Sequence, residues 1–328
     1  MDKLKKRLFH FIIAMGLVLF NVFLLWHPAA MVSAARDGLL MWFNNVVPAL
    51  LPFAIGVHLM ALLGVTALLG RALGPVMQLL FNVPGAGGFA LLTGLTSGYP
   101  LGAKTVTLLR QQGQLSRGEA QRLIAFTNNA GPLFIVGFVG VGLFGHAKAG
   151  YWLLVSHVAS ALVVGVLFRF FWLGENEKPT PAQENRNTTP VPFWKALGES
   201  VQAGMASMVV VGGFMVLFCV VLRALELAGL FAALHALLPD APWVTGLLAG
   251  TLEMANGARL IAQSGSAHPA ALAATAALIS FGGVSVHGQT AHLLHQTDIR
   301  FPPYVLAKLV QAVVAGVVCG VLVWWASG

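Results

Sequence analysis

Charge is what this 328-residue chain has least of: Asp, Glu, Lys and Arg make up 9% of it against 57% hydrophobic residues, with a mean hydropathy of +0.80. So little polar surface cannot wrap a water-soluble globule, so lipid must solvate the chain. Cysteine is scarce as well. Cys219 and Cys319 each lie inside an apolar run, which excludes a disulfide framework or a thiolate metal cage and leaves them as small core hydrophobes. Also missing are a Walker loop and any glycine fingerprint following a strand, so the chain shows no sign of driving a reaction with ATP, and no cofactor is expected.

What remains is an α-helical polytopic membrane protein. Apolar windows of spanning length run from Phe9 to Trp26, Val46 to Val65, Met208 to Leu222, Tyr151 to Trp172 and Tyr304 to Trp325. The net charge of +8 does not make this a nucleic-acid binder, because the Lys and Arg residues sit in short loops and at helix ends, where they orient membrane helices. Lys3, Lys5, Lys6 and Arg7 precede the first apolar window. That window is long for the core of a signal peptide, which predicts a retained helix with its N-terminus in the cytoplasm. Residues 1–35 are read as this basic flank and first helix. Residues 174–192, rich in Glu, Asn, Thr and Pro, form a polar linker between two hydrophobic halves, 36–173 and 193–328. The Asn187-Thr188-Thr189 sequon inside the linker has meaning only in a secretory pathway that nothing else indicates.

The halves resemble each other. The run from Tyr151 lies over that from Tyr304 at an offset of 153, ending with Trp172 over Trp325; Leu91 to Gly94 lies over Leu247 to Gly250, and Gly102-Ala103-Lys104 over Gly257-Ala258-Arg259. Each half then reads as a spanning helix, an amphipathic stretch, a glycine-broken segment, a more polar segment and a final spanning helix. Whether the repeats are parallel or inverted depends on a helix count that the pattern leaves open. Gly85 to Lys104 carries five glycines up to Gly98 and then Tyr99-Pro100, and Gly246 to Arg259 is interrupted at Gly250 and Asn256-Gly257. Neither stretch makes a regular spanning helix, since Pro removes a donor and Gly weakens a helix interior by about 1 kcal/mol. Two re-entrant hairpins are expected, and irregular backbone at membrane depth is tolerated only where protein or a water-filled cavity satisfies it.

Candidate site residues gather at those interruptions. Glu253 is an acid in an apolar segment, where a charge costs at least about 2.5 kcal/mol; it reads as a solute ligand or coupling group, or else as half of an ion pair with Lys104 or Arg259. Those two cations hold equivalent repeat positions, so they suit a dianion if the hairpins converge, or snorkel to the interface if they do not. Ser97 and Tyr99 in the first broken segment and Asn256 in the second offer neutral contacts. So do Asn128 and Asn129, and in the matching place Ser285, His287 and Gln289; packing between helices is the competing role. His287, His292 and His295 lack the spacing and further ligands of a metal site, and Gly283-Val284-Ser285 does not match the serine-hydrolase elbow. No enzyme is expected.

The stretches SGYPLGAKTV (Ser97 to Val106), FTNNAGPLFIVG (Phe126 to Gly137), FGGVSVHGQ (Phe281 to Gln289) and TDIRFPPY (Thr297 to Tyr304) resemble the YlbJ (SpoVV) family of sporulation integral membrane proteins. That family carries the nucleoside-recognition, or gate, domain of concentrative nucleoside transporters. The resemblance covers Pro48 to the C-terminus apart from the linker. It implies a multi-pass bacterial membrane protein, placed in the outer forespore membrane of spore formers, that passes dipicolinic acid. This is a pyridine dicarboxylate and a dianion near neutral pH. A nucleoside or other small-metabolite carrier is the alternative, as is a non-transporting scaffold. The expected partners are the small-molecule solute, membrane lipid and a second copy of the chain. Alternating access is expected from one repeat moving against the other.

Overall fold

In lipid a backbone has no water to bond, so a chain of this composition satisfies its N–H and C=O groups within helices. The computed structural model describes residues 2–175, 191–238, 243–264 and 269–327, and those in regular elements are helical throughout. Most of the linker, with its sequon, lies outside the described residues.

Helix α1 (Asp2–Trp26) is followed at once by α2 (Pro28–Met41), which continues through a wider π-helical turn (Trp42–Val46) into α3 (Val47–Leu62) as one rod, Pro28–Leu62. The first repeat therefore starts its leading helix at Pro28, inside the 1–35 segment. Next come α4 (Val65–Phe81), bent 85° from α5 (Ala86–Ser97), then α6 (Leu101–Gln111), α7 (Arg117–Thr127), a π-helical arm (Leu133–Leu143) and α8 (Ala147–Phe168). The second half repeats the order with α9 (Phe193–Leu227), α10 (Leu230–Leu237), α11 (Trp243–Leu252), α12 (Met254–Gln263), α13 (Pro269–Phe281), α14 (Gly283–Leu294) and α15 (Phe301–Ser327). Among the described residues, five helices could cross a membrane by length and composition, Pro28–Leu62, Ala147–Phe168, Phe193–Leu227, Pro269–Leu294 and Phe301–Ala326, or six if the bent pair α4–α5 is one span. In each half the broken segment forms a hairpin (α5–α6, α11–α12), and the polar segment is a rod interrupted midway (α7 and its π arm, α13–α14).

Side-chain contacts settle the relation between the halves. Gly38 packs on Cys219, Trp42 donates from Nε1 to the Met208 carbonyl (2.9 Å), Gly204 meets Leu51 and Ile55, and His58 reaches Ser200 (3.3 Å). The two leading helices thus run antiparallel. The closing helices do too: Val164 and Phe168 of α8 share a core with Tyr304 and Ala307 of α15, while Ala149 and Leu153 pack with Ala315, Cys319 and Val323. Equivalent helices that run opposite ways make the repeats inverted, which answers the question that the sequence left open.

Packing also crosses the repeat boundary. α2 and α3 pair with α9 and share one apolar core, Val46, Leu50, Ala54, Met208, Val211 and Met215 with Leu101. The hairpins, interrupted rods and closing helices of both halves form the other two cores. The molecule is a two-helix wall against a core built from both repeats.

Candidate solute site

All four interruptions meet at the centre, against the wall. The hairpin tips do so because their arms are held together by glycine. A Cβ on Gly257 would overlap the backbone of Gly250, and one on Gly246 the amide of Ile261, so α11 and α12 run antiparallel in near contact. In the first half the carbonyl of Thr127 lies against both Gly94 and Gly102, letting the end of α7 slot between the arms of the hairpin.

A cavity of about 60 Å³ lies where tips and breaks face the wall. Its apolar side is Val46, Ala49, Leu50, Val211 and Met215 of the wall; its polar side is all core, with Tyr99, Gly131, Glu253, Ser285 and Gln289. Two wider vestibules approach it. One, of about 430 Å³, is lined by Asp37, Cys219, Arg223, Glu226, Asn256 and Arg259. The other, of about 340 Å³, is lined by His58, Lys104, Ser207, Gln289 and His292. They lie on either side of the cavity along α9, whose residues 219–226 line the first, 211 and 215 the cavity and 206–210 the second. At 1.5 Å per residue this sets them roughly 20 Å apart.

Of the sequence-derived candidates, Tyr99, Glu253, Ser285 and Gln289 come together at the central cavity, and Gln289 also lines the Lys104 vestibule. Lys104 and Arg259 do not converge. Lys104 donates to Ser207 Oγ (2.9 Å) and the Ala203 carbonyl (3.4 Å), while Arg259 donates to Asn256 Oδ1 (3.1 Å) in the opposite vestibule. Inverted symmetry puts equivalent residues at opposite ends, so no shared dianion clamp forms. Glu253 pairs with neither cation. Its carboxylate caps α12, accepting from the amides of Ala255 (3.1 Å) and Asn256 (2.8 Å) and from Asn256 Nδ2 (2.9 Å), and it connects with Arg259 only through Asn256.

Asn128 and Asn129 lie behind the cavity and hold the break in α7 to the second repeat. Asn128 Nδ2 donates to Thr290 Oγ1 and the Tyr304 hydroxyl (both 2.9 Å), its Oδ1 accepts from the Ala103 amide (3.3 Å), and Asn129 Oδ1 accepts from Gln311 Nε2 (3.0 Å). His287 sits among the rings of Phe281, Phe301 and Tyr304, both ring nitrogens without a partner. Ser97 is buried at the end of α5, near Thr96 Oγ1 (3.4 Å), and lines none of the three cavities.

Sequence reasoning passed over two groups here. Lys308 of α15 is fully buried and donates to the Asn128 carbonyl (2.8 Å) and to Gln311 Oε1. His157 of α8 ties the two breaks together: the Ala130 amide donates to Nε2 (3.1 Å), which leaves the proton on Nδ1 to be donated to Ser280 Oγ (2.8 Å). A ring nitrogen that donates to Ser280 cannot take its proton, so this pair is no nucleophile and base. The signal for Lys308 was available, an ammonium four residues into the run from Tyr304, but the run was read for its length.

Half-helix ends supply the site's field. Carbonyls at the ends of α7 and α13 are met by protein donors: Lys308 on Asn128, and the Tyr99 hydroxyl on Ile279 (3.2 Å) and Ser280 (3.4 Å). The amide end of α12 is filled by Glu253, whereas α14 starts at Gly282 (φ +91°) with no side-chain cap, beside Ser285. The uncapped amide end of α14 favours an anion or an acceptor group there.

Comparison with known proteins accords with this architecture. The chain is 36% identical over 314 residues to the sporulation integral membrane protein YlbJ of Bacillus subtilis (strain 168), covering 89% of this chain and 77% of that protein. The chain belongs to the YlbJ family of sporulation integral membrane proteins. Residues 43–168 match the Gate family, described as nucleoside recognition. That match lies within the first repeat, and the same order of elements recurs in the second. No solved structure matches.

Proposed function

We propose that this YlbJ-family protein is a transporter in which the core carries a small anionic solute past the wall formed by α2, α3 and α9. The observation that carries the reading is the central cavity. Every polar lining group belongs to the core, the wall offers only apolar side chains, and a vestibule leads toward it from either end. At the cavity the wall is apolar, so sliding of the core breaks only the bonds of Lys104 with Ser207 and Ala203 and of Asn256 with Cys219 in the flanking vestibules. Motion of core against wall replaces motion of one repeat against the other, because Asn128, Lys308, His157 and Tyr99 bind the repeats to each other.

We read the α5–α6 and α11–α12 hairpins as re-entrant from opposite membrane faces. The end of the molecule with the Lys104 vestibule also holds Arg110, paired with Asp298, and Arg117, Arg122 and Arg300, bonded to Glu175 or Trp172, against Arg223 and Arg259 lining the other vestibule. The positive-inside rule puts the Lys104 end in the cytoplasm. A dianion leaving the cytoplasm would meet Lys104 first and then the open amide end of α14. Dipicolinate, moving from the mother cell across the outer forespore membrane, fits that path and the family. A second reading rests on Glu253: its carboxylate faces the cavity and suits a solute hydroxyl, as a nucleoside would present.

Uptake of labelled dipicolinate and of uridine into proteoliposomes holding the purified chain tests both. Dipicolinate flux that falls about tenfold or more in Gln289→Leu supports the anion reading. Uridine flux without dipicolinate flux moves the assignment to the nucleoside reading. Flux of neither leaves a non-transporting scaffold.

A further inference from the structure

The break between α7 and its π arm leaves carbonyl oxygens at the negative end of a half-helix, in the middle of the molecule. Carbonyls so placed are where secondary transporters seat a coupling cation. Here the place is taken by the Lys308 side chain, with 0% of the residue exposed. Its Nζ donates to the Asn128 carbonyl (2.8 Å) and to Gln311 Oε1, and stands 5.2 Å from the centre of the Tyr99 ring. Gln311 is held in the matching orientation by donating its amide to Asn129 Oδ1 (3.0 Å). Among the described residues no carboxylate pairs with Lys308. Two carbonyl-type oxygens and an aromatic face are the surroundings of a bound monovalent cation, not of an ion pair.

The second repeat solves the same problem differently. The carbonyl end of α13 is met by the neutral hydroxyl of Tyr99, and in the Tyr151–Tyr304 register the first-repeat counterpart of Lys308 is Val155. The ammonium is thus not a requirement of the repeat; it belongs to one break only.

We propose that Lys308 is a tethered cation occupying the place of a coupling ion, so that the protein works without sodium or potassium and that removing the side chain creates a site for a free monovalent cation. The consequence for transport rests on the function proposed above, but the site does not, and the decisive measurement needs no solute. Thermal unfolding of the purified full chain is followed in choline, sodium, potassium or propylammonium chloride at equal ionic strength. Wild type is expected to melt at the same temperature in all four. Lys308→Ala should melt roughly 5 °C or more lower in choline and recover part of that in propylammonium, which replaces the missing atoms, or in sodium. Lys308→Met, which fills the space without charge, should melt lower and recover in none.

A wild-type melting temperature raised by sodium over choline would overturn the proposal, since a separate cation site would then exist. So would a Lys308→Met variant as stable as wild type in choline, which also decides the matter if the alanine variant does not fold. An alanine variant that responds to no cation overturns it equally. Where solute flux is measurable, wild-type rates should be equal in sodium and choline; absence of any flux would count against the transporter reading and leave the melting results to judge Lys308.

Discussion

Arg110 holds Asp298 with two hydrogen bonds, Nε to Oδ1 (2.9 Å) and Nη2 to Oδ2 (2.7 Å), and gives Nη1 to the Leu115 carbonyl (3.0 Å). The pair ties α6 to the loop before α15, outside the spanning segments. The Arg110 hydrogen bond keeps the Asp298 carboxyl below its ordinary value, against a smaller opposing effect of partial burial. A depressed carboxylate adds stability that is complete above the unfolded-chain value of about 3.9 and is lost as pH falls through the lower folded value. The side chain of Asp298 is 46% exposed, so Asp298→Asn should cost no more than about 1 kcal/mol at pH 7. Melting curves of wild type and variant should converge as pH falls through the lowered folded value; a gap that persists once the carboxylate is protonated would place its cause elsewhere than in its charge. Individual residues were unevenly legible. Glu253 stood out because an acid in an apolar run has few bland explanations, and Ser285 and Gln289 because they cluster at a glycine break. Lys308 hid in a window already read as a plain span.

Glycine decides the hairpins, and neighbours decide which glycines matter. Gly257 faces the backbone of Gly250 with no room for a methyl group, while Gly213, in the middle of α9, has nothing within 4 Å of where its Cβ would lie. Gly257→Val should therefore separate α11 from α12, displace Glu253 from the cavity and cost about 3 kcal/mol or more. Gly213→Ala should be neutral or stabilise by up to about 1 kcal/mol, since Ala is the better helix former. Detergent-solubilised melting temperatures of the two variants make the comparison, and equal losses in both would mean that helix propensity, not contact, governs. The sequence marked both hairpins through Gly and Pro, because those residues act locally on the backbone. It could not say that α7 inserts its last carbonyl between Gly94 and Gly102, because that contact joins segments distant in the chain.

Bridging chosen pairs distinguishes a wall and core from two rocking repeats. Lys104 of the core touches Ser207 of the wall (2.9 Å), whereas His58 and Ser200 (3.3 Å) both belong to the wall. With Cys219 and Cys319 replaced by Ala, joining Lys104→Cys to Ser207→Cys with a short thiol-specific bridge should stop solute flux, and a reductant should restore it. Joining His58→Cys to Ser200→Cys should leave flux within about twofold, because it links helices that move together. Flux lost in both pairs would return the hinge to the repeat boundary, which each of them crosses. The membrane class, the helical fold, the two-fold repetition and the places where helices break were all determined by the sequence itself, since each follows from local composition: lipid demands apolar helices, and Gly and Pro interrupt them wherever they are packed. Antiparallel pairing of the repeats, the separation of Lys104 from Arg259, the capping of α12 by Glu253 and the burial of Lys308 against an open carbonyl were decided only by tertiary structure. They depend on which segments lie side by side, and an apolar surface, which attracts every other apolar surface alike, does not encode that choice locally.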